Sequence, residues 1–277
     1  MIKDERGYLI LAANTETVDY IDCAKACAKS IRLHTPNAKI AILSDVAVDD
    51  PVFDYSEIFP FPIDGGFSND WQCYWGSPFR QTIKIEADMI VPHSIDHWWP
   101  MLEHRDVVIT TGARNYMNQL TTEQHYRQLF RLNRLPDLYN AITYWRVSQT
   151  AMDFFSLVRD LFNNWPEVQK QLTMGNTDIG TTDVVYAVAA KLLGVENFTL
   201  PNTSYPTLIH MKERINWLQQ EDWTKEMVWE LNGSNIRIQT IDQQYPFHYH
   251  IKEFSKVLNE HYDRELSHRT YYGETTS

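Results

Sequence analysis

The carboxylates Glu86 and Asp88 are the side chains of this chain best placed by their spacing to do chemistry. They flank Ala87 and follow Ile83 and Ile85, whose alternation is typical of a β-strand. Two carboxylates separated by one small residue can both offer oxygens to a hard cation such as Mg²⁺ or Mn²⁺. In an open α/β sheet, ligands bind beyond the carboxyl ends of the strands. We therefore predict a divalent-cation site at the end of this strand.

The segments before this strand predict the sheet that positions it. Residues 7–13 form a short apolar run, residues 18–34 carry apolar side chains at helical spacing up to Pro36, and residues 39–44 form a second apolar run. A strand-helix-strand order predicts parallel strands joined by a right-handed crossover. The sequence has no GxGxxG motif here, which argues against a dinucleotide-binding fingerprint.

A third acidic residue, Asp183, belongs to a predicted helix over residues 181–193. Thr181 or Thr182 is the natural N-cap of that helix, and Gly194 is its natural end. Asp183 then lies in the first turn, where the helix dipole stabilises a carboxylate. That position is enough to explain the residue without any chemistry.

Residues 82–89, with the sequence TIKIEADM, resemble the DxD segment of GT-A fold glycosyltransferases. Glu86 stands where that family usually has the first aspartate. The resemblance extends over residues 7–212. In its overall residue pattern the chain is similar to nucleotide-sugar transferases of tailed bacteriophages. It implies an α/β fold of the GT-A type: a Rossmann-like central sheet, mixed but mostly parallel, flanked by helices and followed by a C-terminal helical extension.

The resemblance also implies a reaction and a metal cofactor. The expected reaction transfers a sugar from a nucleoside diphosphate sugar, with uridine as the expected nucleoside, to an acceptor hydroxyl. Mn²⁺ or Mg²⁺ is the implied cofactor, because the leaving diphosphate develops negative charge that a cation neutralises. The implied metal ligands are Glu86, Asp88 and His210, with His248 or His250 as the alternative to His210.

Asp88 and Asp183 are the catalytic residues that the resemblance implies. Asp183 would either deprotonate the acceptor hydroxyl, giving inversion, or stabilise the sugar, giving retention. The sequence leaves both alternatives open. The donor-binding residues implied by the resemblance are Ala12, Asn14, Thr15, Asp45, Lys84, Asn140 and Lys212. Each polar residue among those in the loops after the first two strands could equally be a turn former.

The leading acceptor hypothesis is a 5-hydroxymethylated pyrimidine in phage DNA. The alternatives are a carbohydrate or protein acceptor, or a nucleotide-sugar-binding protein without catalysis. A flipped base needs aromatic stacking and nearby cations, whereas the net charge of −11 gives no general attraction to DNA. The side chains that could form a basic and aromatic groove are Arg114, Arg127, Arg131, Arg134, Trp71 and Trp75.

Length and composition suggest one large catalytic domain with an appended segment. The 277 residues, of which 43% are hydrophobic, are ample for a packed core. We expect a catalytic domain over residues 1–215 and an extension over residues 216–277 that packs on it. Within the extension, residues 252–262 are predicted to be helical, and a poorly ordered polar tail is expected from residue 264.

Three features of the sequence favour a cytoplasmic protein, in the host cell if the chain is phage-encoded. Its three cysteines form no disulfide framework, its first residues do not resemble a signal peptide, and no apolar run reaches the ~18 residues of a membrane span. We therefore expect no membrane partner. The oligomeric state is not predicted.

Overall fold

The computed structural model describes residues 2–63, 66–121, 127–173, 180–201, 205–211 and 222–273. The strands in this part of the chain are β1 (Asp4–Ala12), β2 (Ile40–Ser44), β3 (Tyr55–Ile58), β4 (Phe79–Glu86), β5 (Met89–Ile90), β6 (Val107–Thr110), β7 (Gly112–Arg114), β8 (Tyr139–Arg146), β9 (Thr207–His210), β10 (Trp229–Asn232), β11 (Asn235–Ile238), β12 (Ile241–Asp242) and β13 (Phe247–His248). The α-helices are α1 (Tyr20–Arg32), α2 (Cys73–Gly76), α3 (Trp99–Leu102), α4 (Gln128–Leu132), α5 (Gln149–Asn163), α6 (Trp165–Val168), α7 (Thr182–Leu193), α8 (Trp223–Glu226) and α9 (Phe254–Gly273).

The central sheet has the strand order β3-β2-β1-β4-β8-β6. β3, β2, β1 and β4 are mutually parallel, and β8 runs antiparallel to both β4 and β6. Helices cover both faces, with α1 on one side and α5 and α7 on the other. The predicted mixed, mostly parallel α/β sheet is therefore confirmed.

Strand β4 is the central strand that the sequence predicts, and it ends at Glu86. Ile83 and Ile85 pack into the apolar layer on the α1 side. Lys84 alternates with them and is also fully buried, on the opposite face. Burial on both faces explains why the whole second half of this strand is withdrawn from water.

A smaller sheet with the order β5-β13-β9-β7 lies next to the end of β4. β13 pairs antiparallel with β5 and parallel with β9. Residues far apart in the chain therefore meet directly after β4 ends. The short sheet built from β10, β11 and β12 lies in the segment before β13.

The C-terminal helix α9 packs on α1. Ser255 Oγ donates to Asp22 Oδ2 at 2.6 Å, and Asn259 Nδ2 donates to the Asp22 carbonyl at 2.9 Å. The helix extends to Gly273, beyond the predicted end at residue 262, and the poorly ordered tail from residue 264 stays a prediction. Leu258, Tyr262 and Leu266 recur every fourth position and pack in one apolar cluster, which favours continuation of the helix. The boundary between the catalytic domain and the C-terminal extension, placed between residues 215 and 216, stays a prediction.

Other predicted helices agree with the structure within a few residues. Helix α1 begins after the N-cap Asp19, and α7 ends at Gly194, whose φ of 92° suits glycine. The short helix Gln128–Leu132 follows residues 122–126, which lie outside the described residues. No helix among the described residues is both long and apolar enough to cross a bilayer.

Candidate active site

Glu86, Asp88 and His248 meet where β4, β5 and β13 come together. Glu86 ends β4, Asp88 follows in the turn before β5, and His248 pairs in register with Met89 of β5. His248 Nε2 lies 2.9 Å from Asp88 Oδ2 and 3.5 Å from Glu86 Oε2. One ligand atom from each of the three residues lies within 4.8 Å of the others. The structure thus brings the two predicted carboxylates together with an imidazole.

The histidine next to both carboxylates is His248, the alternative that the sequence left open. His210 is its register partner on β9, one strand farther from β5. It lies instead against His250, with 3.1 Å between His210 Nδ1 and His250 Nε2. The strand order therefore places His248 directly beside the carboxylates.

Lys252 is a cation at this site that sequence reasoning did not select. Its ammonium forms an ion pair with Asp88 Oδ2. Burial by itself would lower the pKa of Lys252, but Asp88 outweighs it and raises that pKa. The available signal was the occurrence of His248, His250 and Lys252 within five residues.

The two carboxylates have opposite electrostatic environments. Burial raises the pKa of Glu86, and the charge of Asp88 adds to that effect. Burial would also raise the pKa of Asp88, but its contacts with His248 and Lys252 hold that pKa well below its usual range. Asp88 is therefore stabilised as an anion, whereas His248 and Lys84 only partly offset the effect of burial on the pKa of Glu86.

The residues present fit a divalent cation. Two carboxylate oxygens and one imidazole nitrogen form a mixed donor set that suits Mn²⁺, and the carboxylates alone suit Mg²⁺. The metal site itself stays a prediction.

Asp183 lies in the first turn of α7, as predicted, and is tied to β8. Its Oδ1 accepts a hydrogen bond of 2.8 Å from the backbone N–H of Asn140. Its Oδ2 lies 3.7 Å from Arg127 Nη1, and about a third of the side chain is exposed. The charge of Asp183 also makes a small contribution to the raised pKa of Glu86.

Lys84 and Asn140 belong to a buried polar network centred on Asp70. Lys84 Nζ lies 2.6 Å from Asp70 Oδ2 and 3.2 Å from the Asn140 carbonyl. Asn140 Nδ2 donates to the same carboxylate at 3.3 Å, and the Tyr186 hydroxyl donates to Asp70 Oδ1. Burial would lower the pKa of Lys84, but Asp70 raises it, so the ammonium stays charged.

This network changes the interpretation of two predicted donor-binding residues. Lys84 is fully buried and Asn140 is 4% exposed, and both contact Asp70, so donor binding by either side chain stays a prediction. Asp70, in a 3₁₀ helix (Gly66–Gln72), was not selected from the sequence. A lysine inside an apolar strand requires a buried acid, but nothing local indicates which acid supplies it.

Removing the Lys84 charge should strongly destabilise the protein. We expect Lys84→Met to lower the free energy of unfolding by about 3–5 kcal/mol, because Asp70 is left as an uncompensated buried charge. Urea unfolding followed by circular dichroism measures the effect. The double variant with Asp70→Asn should recover part of the loss.

The matched control for Lys84 is Lys170, whose ion pair with Glu167 is largely exposed. Lys170→Met should cost less than about 1 kcal/mol. A loss for Lys84→Met as small as that of the control would contradict the role of the buried pair.

The predicted base-binding residues lie together at the ends of β1 and β2. Ala12 is buried at the end of β1, and the Asn14 backbone N–H donates to Asp45 Oδ1 at 3.4 Å. Asn14 Oδ1 and Thr15 Oγ1 each accept a backbone N–H at 3.1 Å, at the start of α1 and in the turn before it. Their turn-forming role is thus observed, and donor binding stays a prediction. Lys212 lies outside the described residues.

The basic face proposed for DNA does not include Arg127. That side chain is 5% exposed and lies between the rings of Phe130 and Tyr139, 3.9 Å from each centroid. Its Nε is 3.1 Å from Asp137 Oδ1. Arg127 therefore supports the fold around Asp183, and its use in a basic face was wrong.

The other side chains expected to form the groove do not share one role. Arg114 donates to the Asn118 carbonyl at 3.0 Å and covers the Tyr245 ring, whereas Arg131 and Arg134 are exposed. Trp71 and Trp75 pack against each other and Phe61 in an aromatic cluster. These rings mainly cover the core.

Comparisons with known proteins show a similarity in fold between this chain and several solved structures. No protein-family model matches the chain, and no curated protein sequence matches it. The galactosyltransferase LgtC, in complex with donor and acceptor sugar analogues, aligns with a TM-score of 0.45 at 10% identity over 67% of this chain and 70% of that one. Mouse xyloside xylosyltransferase 1 gives 0.43 at 13% identity over 72% and 85%.

Two longer proteins complete these comparisons. The bifunctional glycosyltransferase WbbM gives a TM-score of 0.44 at 12% identity over 71% of this chain and 39% of that one. GlyE of Streptococcus pneumoniae TIGR4 gives 0.44 at 11% identity over 73% and 46%. This chain thus spans less than half the length of either. The likeness concerns the fold alone, and we infer no activity from it.

Proposed function

We propose that this protein is a metal-dependent glycosyltransferase that uses a nucleoside diphosphate sugar. The observation that carries the proposal is the cluster of Glu86, Asp88 and His248 at the carboxyl end of a central parallel strand, with Lys252 beside it. Open α/β sheets bind nucleotides at this edge. Carboxylates, an imidazole and an ammonium together suit a cation and a diphosphate.

The residues of this cluster would have different roles toward the leaving diphosphate. A bound Mn²⁺ or Mg²⁺ would act as a Lewis acid toward the phosphate oxygens. Glu86, Asp88 and His248 would hold that ion. Lys252 would turn from Asp88 to the phosphates, because the ion then neutralises the aspartate, and Lys212 is a further predicted phosphate ligand.

Asp183 is the proposed catalytic carboxylate on the sugar side. Its charge contributes to the raised pKa of Glu86, and part of the side chain is open to solvent. The Asn140 N–H and Arg127 contact the Asp183 carboxylate and fix its orientation. A fixed orientation keeps the carboxylate in place when one substrate is exchanged for the next. It would serve either as the base for the acceptor hydroxyl or as a stabiliser of the sugar.

The proposed donor is uridine-linked, with the base beside Asn14, Thr15 and Asp45. These residues form one polar corner at the adjoining ends of β1 and β2. Asn14 and Thr15 are exposed there, so a base can reach them. A non-catalytic nucleotide-sugar-binding protein would share this corner but would not break the sugar–phosphate bond.

Metal removal should stop donor breakdown. We expect slow release of free sugar from a uridine diphosphate sugar with Mn²⁺, and none after EDTA treatment, because leaving-group charge is then not neutralised. The measurement is chromatography of the nucleotide products, with Mn²⁺ restored as the control. Tight binding of uridine diphosphate without hydrolysis of any donor would favour the non-catalytic alternative.

The proposed acceptor is a hydroxyl, for which hydroxymethylated pyrimidine in DNA was the sequence-based hypothesis. With Arg127 buried, its support is reduced to the exposed Arg131 and Arg134. Incubation of hydroxymethylated DNA with several nucleotide sugars, followed by nucleoside mass analysis, tests it. Donor hydrolysis without added sugar mass on DNA would direct the search to carbohydrate and protein acceptors.

A further inference from the structure

We propose that His210, His248 and His250 form a second cation site that prefers Zn²⁺ to Mg²⁺ and Mn²⁺. One ring nitrogen from each histidine lies within 4.8 Å of the others. His210 and His248 are both 6% exposed, and the His250 side chain is 12% exposed. Nitrogen donors select zinc-like cations, whereas oxygen donors select magnesium and manganese.

The spacing of the rings is close to that of a zinc site. In tetrahedral coordination with Zn–N distances of about 2.0–2.1 Å, two ligand nitrogens lie about 3.3–3.4 Å apart. His250 Nε2 and His210 Nδ1 are 3.1 Å apart. The His248 ring centroid lies 3.7 Å from that of His250 and 5.2 Å from that of His210. The His248 and His250 rings are nearly stacked, at an interplanar angle of 31°, so one of them must rotate for all three nitrogens to face one ion.

The backbone holds these rings together from two neighbouring strands. His210 ends β9, His248 ends β13, and the two residues are register partners. His250 follows with a φ of 62°, in the left-handed region. Such a conformation costs free energy at a non-glycine residue, and strained residues of this kind cluster at active and ligand-binding sites.

One nitrogen of His248 is available for the second site. Its Nε2 lies 2.9 Å from Asp88 Oδ2, and an ionised carboxylate can only accept, so Nε2 donates. Among the described residues, His248 Nδ1 is buried without a hydrogen-bond partner. In the neutral imidazole this atom carries a lone pair, and a histidine oriented by a carboxylate is the usual form of a zinc ligand.

The two sites should exclude each other through the tautomer of His248. Binding a cation through Nε2, together with Glu86 and Asp88, requires the proton to move to Nδ1. Binding zinc through Nδ1 requires the proton on Nε2, facing Asp88. Zinc should therefore displace Mn²⁺. The zinc site itself does not depend on the proposed function. Only the expected effect of Mn²⁺ displacement on catalysis rests on that function.

Equilibrium dialysis of the full, chelator-stripped chain against Zn²⁺ or Mn²⁺ tests the second site. His210→Gln and His250→Asn should each weaken zinc binding at least about 100-fold, since even outer-shell losses cost roughly 10–100-fold. Each should weaken Mn²⁺ binding less than about 10-fold. Asparagine is chosen for position 250 because it tolerates a left-handed φ.

Glu86→Gln is the matched control and should show the opposite selectivity, losing Mn²⁺ affinity and keeping zinc. Retained Mn²⁺ binding also reports that the histidine variants are folded. Zinc affinity unchanged in both histidine variants, or a parallel fall in Mn²⁺ affinity, would overturn the proposal. Because no sugar donor is present, an absence of transfer activity and an absence of zinc binding are separate outcomes.

Discussion

Asp88→Asn is expected to lower sugar transfer by at least about 10³-fold, because the Lewis acid it would hold contributes several kcal/mol to the transition state. Asp88 contacts His248 Nε2 at 2.9 Å and forms an ion pair with Lys252, so it lies at the centre of the cluster. Asparagine keeps the shape but removes the charge. The rate of uridine diphosphate release from the donor, with Mn²⁺ present, measures the effect.

Glu86→Asp is the matched comparison for this variant. It places aspartate at both ends of the motif and should keep activity, since a carboxylate remains at each position. Circular dichroism must show that Asp88→Asn is folded, because His248 and Lys252 lose a charged partner. Normal turnover by Asp88→Asn and by EDTA-treated protein would together exclude the metal mechanism.

Asp183→Asn is expected to slow transfer by roughly 10²–10⁴-fold, the range for loss of a positioned acid or base. The amide oxygen can still accept the Asn140 N–H, so the local fold should persist. A charge in the first turn of a helix is worth only about 0.3–1 kcal/mol. Single-turnover kinetics should therefore report the catalytic role of Asp183, and the unfolding midpoint should report its structural role at the start of the helix.

Asp137→Asn is the control for Asp183, because Arg127 contacts both carboxylates. The control removes one carboxylate partner of the same buried guanidinium. Similar stability losses with an activity loss only in Asp183→Asn would support catalysis. Full activity in Asp183→Asn, with lowered stability, would leave this residue a structural role alone.

Much of the fold follows from local patterns in the sequence. The apolar runs of β1 and β2, the helical spacing of α1 and the strand leading to Glu86 are repeated signals, so short stretches determine them. The last helix continues past its predicted end at residue 262, because the apolar spacing continues from Leu258 to Leu266. Polar residues between those positions hide the pattern.

The buried partners of the site could not be read from sequence. Lys84 indicates that an acid is needed, but Asp70 lies 14 residues away in a 3₁₀ helix, and Tyr186 comes from α7. Arg127 resembled a surface cation until its contacts with Asp137 and Asp183 were seen. Ion pairs between distant segments leave no periodic signal.

The sequence by itself determined the parallel sheet and the pair Glu86 and Asp88 at the end of its central strand, because both follow from spacing within a few residues. Only the tertiary structure decided which histidine and which lysine join them. His248 and Lys252 lie 160 and 164 residues from Asp88. They meet it because β13 pairs with β5, and strand pairing depends on packing of the whole sheet rather than on local residue types.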